Sequence, residues 1–183
     1  GAGLMSETQP MGLGSVCQLS YAGAMRMPED RFLYSSENCS IRRTLDVVGE
    51  KWTILVLRES FYGVRRFDDF ARALGCARNI LSTRLATLVD EALLERRPYK
   101  EPGSRSRVEY VLTDKGRELF PVLLALMQWG DRWESDPEGP PVEVRHRDCG
   151  ELVSVTMGCA AGHGPLTIRD VEPVPGAGAR LVA

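Results

Sequence analysis

From position 39 onward, apolar residues recur at helical spacing. Ile41, Leu45 and Val48 make one stripe, which Gly49 interrupts. Trp52, Leu55, Val56 and Glu59 continue as a second helix ending near Gly63. Phe67, Phe70, Ala71 and Leu74 predict a third helix, with Gly75 as its stop. Residues 77–92 predict a fourth, with Leu81, Leu85, Leu88 and Ala92 on one face. The period then changes. LLERRPYK and RVEYVLT read as extended segments, the second alternating through Val108, Tyr110 and Leu112, around a turn-rich EPGSRS. Thr113 is the expected N-cap of a last helix that carries Leu119, Val122, Leu123, Leu126, Trp129 and Trp133, with a kink expected at Pro121. Beyond the linker SDPEGPP, residues 142–174 are Gly/Pro-punctuated and predict weak strands.

Four helices, a strand, a turn, a strand and a long helix make a mainly helical α+β fold, a winged helix-turn-helix. Three regions follow: a weakly patterned leader over 1–36, the winged domain with its long helix over 37–134, and a linker with a small β-rich extension over 135–183. The leader reads either as poorly structured or as an arm that docks on a partner subunit.

RFDDFARALGCARNILSTRLATLV has the parts of a helix-turn-helix: a short helix, a tight turn, and a second helix whose start reaches base edges. Projected at about 100° per residue, Asn79, Thr83, Ala86 and Asp90 lie opposite the leucine face. Ser82 is beside them, and Arg78 and Arg84 fall on the two flanks. Small residues admit the backbone to a major groove, Asn pairs with adenine, and Thr meets a thymine methyl. An ordinary surface helix of a bundle satisfies the same periodicity. The Arg-bearing hairpin that follows separates the two readings: Lys100, Arg105 and Arg107 flank a tip suited to phosphates or a minor groove.

Charge agrees once it is divided. The chain has a formal net charge of −2, yet residues 39–133 hold 17 Lys+Arg against 13 Asp+Glu, and the remainder 6 against 12. A basic middle is thus concealed by acidic ends.

CSIRRTLDVVGEKWTILVLRES, RFDDFARALGCARNILSTRLATLVDEALLERR and VEYVLTDKGRELFPVLLALMQWGDRW resemble the HxlR family, a MarR-like branch of bacterial and archaeal winged-helix regulators. The likeness spans roughly residues 39–133. It implies a homodimeric transcription factor on an inverted-repeat DNA operator. It also implies a dimer interface from the first and last helices, here Ile41, Leu45, Val122, Leu126, Trp129 and Trp133. Read alone, the stripe of Val122, Leu126, Trp129 and Trp133 is either internal core or a partner seam.

The resemblance also marks Cys39, since some family members sense oxidants or electrophiles with a cysteine there. A helix start with Arg42 and Arg43 nearby suits a reactive thiol, and packing at the seam is the alternative. A small-molecule effector is the other expected input. In the tail, His146-x2-Cys149 and Cys159-x3-His163 have spacings of a four-ligand zinc knuckle. Relatives with a similar tail carry a C-x-x-C, whereas here Gly162 stands in the second position. The favoured reading is therefore no cofactor, with zinc on those four residues as the alternative.

Five scattered cysteines without a C-x-x-C pair are no disulfide framework. No apolar run of 18 residues or signal-type segment exists, so no membrane association and a cytoplasmic location are expected. No phosphate-binding glycine loop or credible Ser/His/Asp set points to an enzyme. A winged-helix module that binds protein and not DNA remains the second reading, and a small metal- or ligand-dependent enzyme the third.

Overall fold

The structure is a computed structural model and describes residues 34–100 and 105–182. Cys17, most of the leader, and positions 101–104 at the hairpin tip lie outside the described residues. Eight elements follow in order: α1 (Ser40–Val48), α2 (Lys51–Phe61), α3 (Phe67–Leu74), α4 (Arg78–Asp90), β1 (Leu94–Tyr99), β2 (Arg107–Leu112), α5 (Asp114–Arg117) and α6 (Phe120–Trp133).

Helix α2 is the hub, touching α1, α3, α4, β2 and α6. Its Val56 and Leu57 are wholly buried, together with Phe70 of α3 and Leu81, Leu85 and Leu88 of α4. Leu93 and Leu94, at the entry to β1, close the cluster. The i, i+4, i+7 leucines of α4 therefore face α2, as their spacing requires. Glu50 starts α2 by accepting from the N–H groups of Trp52 at 2.8 Å and Thr53 at 3.2 Å. Gly75 ends α3 in the left-handed region, with φ of 62°. A residue with a Cβ is disfavoured there.

Strands β1 and β2 pair antiparallel, Leu94 with Leu112 and Tyr99 with Arg107. A bridge between Arg66 and Glu109, and Tyr110 N–H donating to Arg65 O at 2.8 Å, lay the segment before α3 along the free edge of β2. The wing is thereby fixed to the start of α3.

Two expectations from sequence change here. The last helix is not one kinked rod. Thr113 caps a short α5, donating to Ala92 O and accepting from Gly116 N–H, and Pro121 sits in the first turn of a separate α6. A proline there loses no helical hydrogen bond, so it starts a helix instead of bending one. The β character of the extension is confined to single bridges, Arg145–Leu152 and Met157–Leu166, with a 3-10 turn over Ile168–Asp170.

Gly116 is buried, and a Cβ on it would lie 2.2 Å from Leu93 O. Backbone cannot yield that distance cheaply. Gly116→Ala is expected to destabilise the domain by about 1–3 kcal/mol, read as a lowered denaturation midpoint. A midpoint equal to that of the parent would show that α5 can shift freely.

Candidate nucleic-acid interface

The start of α4 projects from the domain. Arg78, Asn79, Ser82 and Thr83 are exposed, while Leu81 and Leu85 between them are fully buried. The Thr83 hydroxyl donates back to Asn79 O at 3.0 Å, and both residues are exposed. A surface with small side chains and one free amide can approach base edges closely.

Arg78 is held in place. Its Nη1 donates to Asp68 Oδ1 at 3.0 Å, and its guanidinium stacks on Phe67 at 4.6 Å from the ring centroid. Both partners belong to the first turn of α3, so the cation joins the two helices at their N-terminal ends. The guanidinium stays largely exposed.

Arg84 lies on the flank that helical projection gives it, but that flank is partly covered. Its Nε lies 3.1 Å from Glu50 Oε2, and its side chain is only 30% exposed. The N–H direction misses the carboxylate, so the contact is an ion pair without a good hydrogen bond. Helical projection from sequence cannot see α2 standing against that flank. Glu50 both caps α2 and faces Arg84, a pairing that no spacing in the sequence marks.

The wing brings further cations. Lys100, Arg105 and Arg107 are exposed on the two sides of the hairpin turn. Arg65, Arg66 and Arg72 form a further cluster that periodicity does not mark. They line a polar concavity of about 520 Å³ with Asp69 and Glu109, between the start of α3 and the wing. The guanidinium of Arg66 stacks on Tyr99 of β1, 4.6 Å from its centroid. The signal was present as VRRF, a basic pair directly before the helix. Arg66, Arg78 and the wing residues follow one edge of the domain because Arg66 bridges to β2 and Arg78 binds the turn after it.

Elsewhere, Ile41 and Leu45 of α1 and Val122, Leu126, Trp129 and Trp133 of α6 are all exposed, Trp129 by 60% and Trp133 by 66%. The core needs none of them. Cys39 is half-buried at the N-cap of α1. In the extension, His146 Nδ1 lies 3.2 Å from Cys149 Sγ, and His163 Nδ1 lies 3.4 Å from Cys159 Sγ. The four form two separate pairs. Among the described residues, no group of three or more His, Cys, Asp or Glu side chains is placed to hold a metal ion. No helix among the described residues is long and apolar enough to cross a membrane.

Comparison with known proteins agrees with this arrangement. The HxlR-like helix-turn-helix family matches over residues 47–138. The chain is 47% identical over 142 residues to an uncharacterized HTH-type transcriptional regulator of Mycobacterium tuberculosis, covering 78% of this chain and 89% of that protein. A crystal structure of a candidate transcription factor is similar with a TM-score of 0.68 and 38% identity, over 76% of this chain and 96% of that one. Another, from Pseudomonas aeruginosa, gives 0.53 and 38% over 78% and 95%. The chain belongs to the HxlR-like helix-turn-helix family and is a transcriptional regulator with a helix-turn-helix DNA-binding domain, not an enzyme.

Proposed function

We propose that the protein works in the cytoplasm as a homodimer that reads an inverted-repeat operator. Helix α4 enters the major groove and the wing over 101–107 follows the adjacent backbone. The observation that carries this is the exposed start of α4, where Arg78, Asn79, Ser82 and Thr83 surround buried leucines. Asn79 is assigned to a base edge. Arg78, Lys100, Arg105 and Arg107 are assigned to phosphates, and the pinned Arg78 acts from a fixed position. Arg84 takes part through the tilt of α4 on α2. The exposed stripes of α1 and α6 form the seam, with Ile41 and Leu45 of one copy meeting α6 of the other. A two-fold seam sets two α4 helices about 34 Å apart, one turn of DNA.

Inputs to the switch are assigned to a small-molecule effector or to oxidation at Cys39. An apolar groove of about 340 Å³ between α2 and α6, lined by Phe61, Phe120 and Leu123, has the size of a ligand site.

Fluorescence anisotropy with a palindromic fragment from the neighbouring promoter tests the reading. Asn79→Ala is expected to weaken operator binding by about 1–3 kcal/mol while leaving random-sequence DNA unaffected. Arg105→Ala and Arg107→Ala are expected to weaken both and to flatten the salt dependence. Equal affinity of the parent protein for operator and random fragments would refute the assignment.

A further inference from the structure

The groove between α2 and α6 is apolar along its length and ends on an acid. Phe120, Leu123, Met127 and Asp131 are spaced by three, four and four residues, so they share one face of α6 and line one wall. Ile54, Arg58 and Phe61 of α2 line the other. The rings of Phe61 and Phe120 pack at 5.1 Å between centroids, at the start of α6. The helix rises about 16 Å from Phe120 to Asp131, at about 1.5 Å per residue.

The charges on these walls do not balance. Arg58 is already matched on its own helix: Nε donates to Glu59 Oε1 at 2.9 Å, and Nη2 donates to the same oxygen. Asp131 is half-buried and has no hydrogen bond or ion pair among the described residues. It also lines a second apolar hollow of about 240 Å³ beside the extension, with Met127, Val142 and Leu152. The other acid of that hollow, Glu143, accepts two hydrogen bonds from Arg145. The Asp131 carboxylate thus stands unmatched where two apolar hollows meet. There is room beside it, since a Cβ on Gly130 would meet nothing within 4 Å. A carboxylate in partly apolar surroundings costs least when a cation faces it. An apolar chain gains most against the wall that leads away from it.

We propose that the groove binds single-chain cationic amphiphiles, with a quaternary ammonium head at Asp131 and an alkyl chain laid along α6 to the Phe61–Phe120 pair. A quaternary ammonium carries no N–H, so it leaves no unpaired donor in the hollow. An extended dodecyl chain matches the distance from Asp131 to the aromatic pair. The assignment rests on the reading of this groove as an effector site and adds the chemical class of the effector.

The full-length protein is titrated calorimetrically at pH 7 with dodecyltrimethylammonium below its micelle concentration, and with laurate as an anion of like length. The cation is expected to bind saturably and on the order of tenfold more tightly than laurate. Asp131→Asn is expected to remove that preference with circular dichroism unchanged. Gly130→Leu adds a side chain where the groove is open and favours the helix, so it is expected to block both ligands without loss of fold. Equal affinity for cation and anion in the parent would overturn the proposal, as would an Asp131→Asn protein that keeps the preference. Binding by a Trp129→Glu, Trp133→Glu double variant but not by the parent would overturn it too, because a second copy would then cover the groove. Nile red, a neutral apolar dye, tests the groove itself. Fluorescence gained with the parent and lost with Gly130→Leu upholds the effector reading whatever the charged ligands do, and no gain with the parent overturns both.

Discussion

Replacing Trp129 and Trp133 together with Glu is expected to convert the proposed dimer to monomer and to reduce operator binding to that of a single half-site. The two indoles are 60% and 66% exposed and lie four apart on α6, beside Leu126 and Val122. An indole losing on the order of 150 Å² of accessible surface contributes about 4 kcal/mol at about 25 cal/mol per Å². Each residue counts twice in a two-fold seam, so the double substitution removes more than a typical dimer can spare, and four carboxylates now face one another. Folding should survive, because neither indole belongs to the cluster around α2. Sedimentation velocity would show a monomer with unchanged circular dichroism. DNA affinity would fall to that of one half-site. A dimer that persists in the double variant would place the seam elsewhere.

The second large effect concerns the core. Phe70→Ala is expected to cost about 3–5 kcal/mol, the usual loss for truncating a buried phenylalanine. Its ring is fully buried and meets Tyr110 of β2 edge-on, with centroids 6.5 Å apart. That contact joins α3 to the wing, so the variant should also loosen the hairpin relative to α4. Chemical denaturation gives the first quantity. Native-state hydrogen exchange at the Tyr110 amide, which donates to Arg65 O, gives the second. A loss below about 1 kcal/mol would mean that the cavity collapses around the missing ring.

Much of the core was legible in the sequence. The leucines of α4 and the aromatics of α3 announce their buried faces because helical period alone fixes which residues share a side. Gly75 and Thr113 mark the element ends they were expected to mark, since a left-handed cap and an N-cap oxygen are local requirements. Partners supplied from another element were not legible. Arg84 is drawn inward by Glu50 of α2, and Arg78 is held by Asp68 and Phe67. No periodicity within α4 encodes either contact. Pro121 misled for a related reason. The chain turns at Glu118–Leu119, and a proline suits the start of a helix as well as it unsettles a middle.

The extension has one more consequence. The Gln128 side-chain amide of α6 donates to Val153 O at 2.8 Å and accepts from Val155 N–H at 3.0 Å. Farther along, Asn38 Nδ2 donates to Gly178 O, and Ser35 N–H donates to Arg180 O at 2.7 Å, immediately before α1. The segment is a yoke across both helices that carry the exposed apolar stripes, gripping α6 at its middle and α1 at its entry. The two helices are thus joined a second time, by the extension as well as by their shared packing on α2.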